Sequence, residues 1–524
     1  MASAFSRRQF LSAALVGLTA KGERRIAGGF VNDAFPTGHR IRDHATFSKS
    51  ARVEKFPIVI VGGGIAGLSA AWRLAKRGFR DFVLLEMEAQ PGGNSRWGEN
   101  EITAYPWAAH YVPVPDARES LVRELFEELG VLKDGKWDER RLCFSPQERL
   151  FLHGRWQEGI EPEIASTPRD REDYLRFHDL MAEHRASGAF TIPMERGERA
   201  DTPAKSAASL DKISMQEWMA QKRFTSPYLD WYVNYACRDD FGALARDTSA
   251  WAGVHYFASR DPEEKGPLTW PEGNGWIVRQ LVQRLNPWLR TSSPVYSIVR
   301  DANKWRVRTE SAEYLAGRVI FAAPTFLAPY MIEGAAATEG FTYSPWVTAN
   351  LVIDRPPEDT AWDNVIYESP ALGYVVATHM TVRSVVEQSV WTFYWALAAR
   401  PPAEMRAMML EKDWGWWREA ILNDLARAHP DIRDRVSRID VMRIGHAMAR
   451  PVPGFLRSET RRLLADPGAV KGRGLGGAKH GGAGRNHGGI LYANSDLSGF
   501  SIFEEAQYRG VTAADRALKD LGRA

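Results

Sequence analysis

The glycine-rich turn Gly62-Gly63-Gly64-Ile65-Ala66-Gly67 constrains this chain more than any other stretch. A short apolar run, Pro57 to Val61, precedes it and suits a strand buried in a parallel sheet. Leu68 to Lys76 follows as a helix, and Gly78 supplies its C-terminal stop. A second apolar run, Phe82–Leu85, ends at Glu86. Gly62 permits the tight turn, Gly64 lets a pyrophosphate approach the backbone, and Gly67 lets helix and strand pack closely. The helix start at Ile65 and Ala66 offers free N–H groups and a positive dipole end to phosphates. Glu86, 19 residues past Gly67, stands where an acid accepts hydrogen bonds from ribose hydroxyls. Strand, turn, helix and acid in this order predict a dinucleotide-binding α/β fold beginning at Phe56.

Gly472-Arg473-Gly474-Leu475-Gly476-Gly477 fits the same glycine pattern without its context. No good strand precedes it, and the glycines through Gly489 do not sustain a helix. The stretch 472–489 reads as a loop, with His480 and His487 as solvated loop histidines.

Six residues after Glu86 comes Gly92-Gly93-Asn94-Ser95. From Val59 to Gly93 the sequence resembles the FAD fingerprint of flavin amine oxidases, phytoene desaturases and protoporphyrinogen oxidases. The resemblance implies FAD, and assigns Gly92 and Gly93 to its phosphates. Asn94 stands where the family often has Arg, and Arg96 is the cation offered instead. Three further segments match in the family's order. Pro271 to Trp276 resembles the opening of the second part of the FAD domain. Pro294 to Ile298 resembles the adenine-contacting strand, which points to Val295. Tyr492 to Asp496, followed by Ile502 to Ala506, resembles the segment that assigns Asp496 to the ribityl-phosphate region and the Phe503 N–H to the flavin ring.

The implied architecture is a doubly wound, Rossmann-like FAD domain built from 56–116, 246–330 and 440–524, with an interleaved α+β substrate domain from 117–245 and 331–439. Residues 117–245 read as helical and 341–400 as strand-rich. Two departures bear on the reaction. The family's active-site Lys belongs in a strand that here spans about Val347 to Ile353, yet no Lys occurs between Lys304 and Lys412. Ile502 matches the family's aromatic-cage Tyr. The C-terminal third has no Cys, so a covalent cysteinyl-flavin is excluded and the FAD is non-covalent.

Flavin carries the hydride chemistry, and the protein orients the substrate. Tyr105 to Tyr111 falls where the family chain passes the isoalloxazine. His110 is the leading candidate, as acid/base or flavin hydrogen-bond partner, with a structural histidine as the alternative. Tyr111, Tyr343 and Trp346 complete the catalytic candidates, with Asn350 nearby. Arg238-Asp239-Asp240 and His255-Tyr256 lie in the substrate region, where two adjacent acids can recognise a cationic amine or form a solvated charge run. His446 and Arg450 are candidates to face the flavin or a substrate anion. No spacing forms a hydrolytic triad or a metal site.

The 524 residues suffice for two or three domains, and 68 Lys plus Arg against 65 Asp plus Glu points to no nucleic acid. Cys143 and Cys237 are too few for a disulfide framework; one disulfide or two buried thiols both fit. At the N-terminus, Ser6-Arg7-Arg8-Gln9-Phe10-Leu11 and the apolar Phe10 to Ala20 have the layout of a twin-arginine export signal within residues 1–30. Eleven apolar residues fall short of the ~17–25 that span a bilayer. The expected destination is the periplasm or another extracytoplasmic site, membrane association included, reached through the twin-arginine translocase. The expected chemistry is hydride transfer from a small organic substrate, an amine or polyamine first, to FAD. A desaturase, an isomerase and a non-catalytic FAD-bearing assembly protein are the alternatives. Electrons would pass to oxygen, a quinone or a redox partner.

Overall fold

The strand before the glycine turn spans Val53–Val61, and its last four residues are buried. Alternate residues feed two cores: Ile58 and Ile60 meet one face of the sheet, Val59 and Val61 the other. That two-sided burial is why the run is apolar throughout rather than alternating. The computed structural model describes residues 25–31, 34–195, 203–260, 266–335, 338–381, 386–465 and 488–523. The twin-arginine stretch, His480 and His487 lie outside them, as does all of 472–489 except Gly488 and Gly489.

Val53–Val61 pairs in parallel with Phe82–Leu85 and with Glu313–Phe321. Leu289–Arg290 and Ile490–Tyr492 extend the parallel set. The antiparallel strands Ser297–Asp301 and Lys304–Arg308 complete a seven-stranded sheet. Helices Ile65–Lys76, Gly275–Leu285 and Phe503–Asp520 contribute to the core on the Ile58 face. The C-terminal helix, Phe503–Asp520, crosses Ile65–Lys76 so closely that a Cβ on Gly510 would lie 2.1 Å from the Ala66 carbonyl oxygen.

The second sheet has eight strands, in the order Ala27–Phe30, Val436–Arg450, Thr342–Asp354, Gln388–Ala396, Gly373–Val376, Asp363–Ile366, Glu148–Leu152, Arg155–Glu158. Its make-up differs from the sequence reading at three points. Glu148–Leu152 and Arg155–Glu158 are strands inside 117–245, a stretch read as helical. Val436–Arg450 crosses the boundary drawn at 440 and belongs to this sheet. The charged Arg438, Asp440 and Arg443 interleave with buried Ile439, Val441 and Met442, which breaks the apolar run into a half-buried strand. Ala27–Phe30, at the end of the stretch read as export signal, is an edge strand parallel to Arg438–Val441. Three of its four residues, Ala27, Gly28 and Gly29, are poor strand formers, so pairing holds it. Cys143 and Cys237 are separate buried thiols. Among the described residues, no helix is long and apolar enough to cross a membrane.

Candidate functional site

The glycine turn opens one end of a cavity between the two sheets' domains. Gly62 has φ +106°, a conformation that side-chain-bearing residues rarely adopt. A Cβ on Gly67 would lie 1.8 Å from the Gly62 carbonyl oxygen, so Gly67 permits the close return of the helix. Gly67 does not itself reach the cavity, whereas Gly62, Gly64, Ile65 and Ala66 line it. A Cβ on Gly64 would meet no protein atom within 4 Å. The first turn of Ile65–Lys76 therefore presents its free N–H groups to open space.

The cavity continues past Glu86, Gly92, Gly93, Asn94, Arg96 and Val295 to Asp496 and Phe503. Glu86 accepts backbone N–H groups from Gly63 (2.6 Å) and Glu88 (2.8 Å), one on each oxygen. Burial raises its pKa, and the remaining lone pairs suit ribose hydroxyls. Arg96 donates to Gly93 O (3.0 Å) and sits 3.4 Å from Glu88. Asn94 donates to Ala447 O (2.6 Å), tying the glycine pair to the second sheet. Asp496 accepts the Thr325 N–H (2.8 Å) and the Tyr343 hydroxyl (2.9 Å). At the far end, Asn274 is buried and its Oδ1 has no protein partner. A cradle that only glycine leaves open, an acid with spare lone pairs and an orphaned acceptor fit a flavin dinucleotide.

A chamber adjoins this cavity, sharing Asn94, Ala109, Asn274, Ile502 and Phe503 with it. It has two lobes, of about 130 and 240 Å³, that share His110, Tyr111, Pro113, Asp239 and Arg260. His110 packs among Tyr111, Trp362 and Tyr394 at ring distances of 5.2–5.5 Å. Burial pushes its pKa down to about 4. Its Nδ1 lies 2.8 Å from Ala108 O, which can only accept, so the neutral ring carries its proton there and Nε2 is an acceptor. Trp346 forms chamber wall, its Nε1 donating to Ser344 Oγ (2.8 Å).

Several sequence candidates take other places. Tyr343 is on the cofactor side, bound to Asp496, and does not line the chamber. A bulge between Ser344 and Trp346 separates it from the chamber-facing Trp346 and Thr348. Asn350 is buried, donating to Pro106 O and accepting from Thr392. Arg238 donates to Ser369 O and Pro370 O, and Arg450 pairs with Asp247 at 3.3 Å. His255 stacks on Phe500 (4.1 Å). His446 does line the cofactor cavity, stacked on Phe326 at 4.2 Å and held neutral by burial.

Asp239 and Asp240 are on the chamber, at the end of helix Pro227–Phe241. The helix dipole disfavours acids in a last turn, so helix stability does not account for them. Asp240 lies 3.7 Å from Arg260. Burial first, then Asp240, pushes Asp239 up to about 7. Glu148, Asp363 and Glu504 add carboxyl groups to the wall. Asp363 accepts the Tyr394 hydroxyl (2.8 Å), and burial raises its pKa. Among the described lining residues, these acids face one guanidinium, Arg260, and no lysine. Arg260, Asp363, Tyr394 and Glu504 escaped the sequence reading. Glu504 is one of two acids in a first helical turn, where acids are ordinary dipole partners and carry no functional signal. Where the family's Lys was sought, Thr348 faces the chamber with a buried, unpartnered hydroxyl.

Comparisons with known proteins give the family and the fold. The family model for flavin containing amine oxidoreductase matches residues 65–518. A hydroxyneurosporene desaturase of Cereibacter sphaeroides is 31% identical over 166 residues, 29% of this chain and 31% of its own. A Baeyer–Villiger monooxygenase of Penicillium patulum is 30% identical over 144 residues, 27% of this chain and 22% of its own. The chain thus matches a third or less of these relatives' lengths. Among solved structures, putrescine oxidase bound to putrescine superposes with a TM-score of 0.63 at 16% identity, covering 89% of this chain and 100% of that one. Cyclohexylamine oxidase from Brevibacterium oxydans gives 0.65 at 14%, with the same coverage. A fatty acid isomerase from P. acnes gives 0.61 at 15%, covering 88% of this chain and 98% of its own. The structural likenesses give the fold, and with the match across most of its length the chain belongs to the family of flavin-containing amine oxidoreductases, FAD-dependent oxidoreductases.

Proposed function

We propose that this protein oxidises a small cationic amine by two-electron transfer to FAD. The observation that carries the reading is the chamber beside the cofactor cavity, walled by aromatic rings and by more carboxyl groups than cations. Bound FAD supplies the hydride acceptor. Asp239 binds the ammonium, while Arg260 holds Asp240 in place. The rings of Tyr111, Trp346 and Tyr394 exclude water and offer cation–π faces. His110, neutral above pH ~5 because its pKa is about 4, orients the substrate as a hydrogen-bond acceptor and does not store its proton.

An anaerobic screen of mono-, di- and polyamines tests this directly. Stoichiometric bleaching of the flavin by an amine is the expected result. Turnover of a substrate without bleaching would mean an isomerase, and bleaching only by neutral hydrocarbons a desaturase. A flavin inert to every compound would favour an assembly protein.

Export through the twin-arginine translocase is the second part of the proposal, supported by Arg7-Arg8 and the apolar stretch behind them. A folded, FAD-loaded cargo suits that route. Replacing Arg7 and Arg8 by Lys is expected to leave the yellow protein in the cytoplasmic fraction; unchanged delivery outside the cytoplasm would refute the address. Outside the cytoplasm the electron acceptor is oxygen, a quinone or a redox partner.

A further inference from the structure

Behind the chamber lies a much smaller cavity, between the C-terminal helix and the segment Glu119–Val122. Its volume, about 10 Å³, is on the scale of a single water molecule. Glu504 lines both this cavity and the chamber. Three of the residues lining it each carry a buried side-chain oxygen without a hydrogen-bond partner: Glu119 Oε2, Glu504 Oε2 and Gln507 Oε1. Gln507 is fully buried, and its Nε2 is committed to Leu121 O at 2.7 Å, which leaves Oε1 as its free end. Three buried acceptors around one small space call for a shared donor.

A proton is the simplest donor, because two buried carboxyl groups this close do not both ionise. Burial first, then Glu504 and Asp116, raises Glu119; Arg260 opposes. Burial also raises Glu504, against Arg260 and with Glu505 and Asp240. Glu504 sits in the first turn of an 18-residue helix, whose dipole favours its ionised form. Glu119 is therefore the one that keeps the proton at rest. On its outer side, Glu119 Oε1 accepts the Asp116 N–H (3.4 Å). Asp116 reaches the surface, paired with exposed Arg118 at 2.5 Å.

We propose that Glu504 and Glu119 form the outlet through which the proton released by substrate oxidation leaves the chamber. The oxidation removes two hydrogens from the substrate. One departs with the bonding electron pair as hydride to the flavin; the other departs as a proton and bonds to a Glu504 carboxylate oxygen. Glu119 gives its own proton to solvent beside Asp116 and takes over the one on Glu504 across the small cavity. The pair then holds one proton again, and no electrons move. Glu504 is the catalytic residue here, and Glu119 acts through it. The inference needs oxidation at the flavin but no amine substrate.

Infrared spectroscopy of the resting holoenzyme at neutral pH tests the shared proton without any substrate. The C=O stretch of a protonated carboxyl group, shifted in D2O and lost in Glu119→Gln, is expected. Proton release during anaerobic flavin reduction, followed with a pH-indicator dye, tests the outlet. In the wild type, release keeps step with bleaching. In Glu119→Gln it is expected to lag at least tenfold, with Glu119→Asp restoring part of the rate. A purely structural Glu119 would leave release in step with bleaching. Absence of any protonated-carboxyl band that Glu119→Gln removes, unchanged release in Glu119→Gln, or release that depends on added Na+ or K+ would each overturn the proposal. Should the amine reading fail, the infrared result still stands or falls by itself.

Discussion

Gly67→Ala is expected to give a protein that neither folds nor holds FAD, whereas Gly64→Ala is expected to fold and lose the flavin. The two glycines lie three residues apart in one motif and have opposite surroundings. At Gly67 the new methyl would stand 1.8 Å from the Gly62 carbonyl oxygen, a backbone atom with nowhere to go. Gly62 in turn is wedged against the backbone of Ala322 and Ala323, at 2.8–2.9 Å from where its own Cβ would lie. Relief would have to separate the helix from three parallel strands, at a cost on the order of 4 kcal/mol or more. Most domains have ~5–15 kcal/mol in hand. At Gly64 the added methyl touches no protein atom and φ is −72°, which alanine adopts freely. It occupies only the space on the cofactor side. Soluble yield and far-UV circular dichroism report the fold, and the flavin-to-protein absorbance ratio reports the cofactor. A soluble, yellow Gly67→Ala protein would refute the packing argument; a yellow Gly64→Ala protein would refute the cradle.

The second large effect is expected at Asp239. Asp239→Asn should raise KM for cationic amines on the order of 100-fold, or about 2.7 kcal/mol, within the ~2–5 kcal/mol typical of truncating a buried charge pair. A neutral substrate analogue should be affected far less. The pH profile separates recognition from damage. The Asp239 carboxyl, pushed up to about 7, is protonated below that pH in the free enzyme and does not attract an ammonium. For an amine charged throughout the range, kcat/KM should therefore rise as pH passes upward through about 7. Asp239→Asn should lose that limb. A variant that keeps it would exclude Asp239 as the cation's partner.

Much of the FAD domain was legible because its constraints are local. Gly62 has a positive φ and Gly67 lies against the Gly62 carbonyl oxygen, so two of the three glycines are required within one turn, and a strand buried on both faces must be apolar. The chamber was half legible. Asp239 and Asp240 were visible as a pair, yet the adjacent Arg238 serves backbone carbonyls and His255, on the next helix, serves packing. Nothing in the sequence separates those roles, since both depend on which side of a helix meets the second sheet. Tyr343 and Trp346 show the same limit within one strand: a bulge between them, invisible in the residue pattern, sends one to Asp496 and the other to the chamber. Arg260, Asp363 and Glu504 converge from distant segments, and each looks like an ordinary surface or cap residue in its own stretch.

The short strand Ala27–Phe30 leads into helix Phe35–Arg42, whose Ile41 is 4% exposed and lines the cofactor cavity. A stretch ahead of the glycine turn, and ahead of the part that matches the family, thus supplies wall to the cofactor cavity. Cofactor retention therefore depends on a helix that the dinucleotide motif does not include. Damage that displaces helix Phe35–Arg42 would open the cofactor cavity while leaving the dinucleotide motif itself untouched.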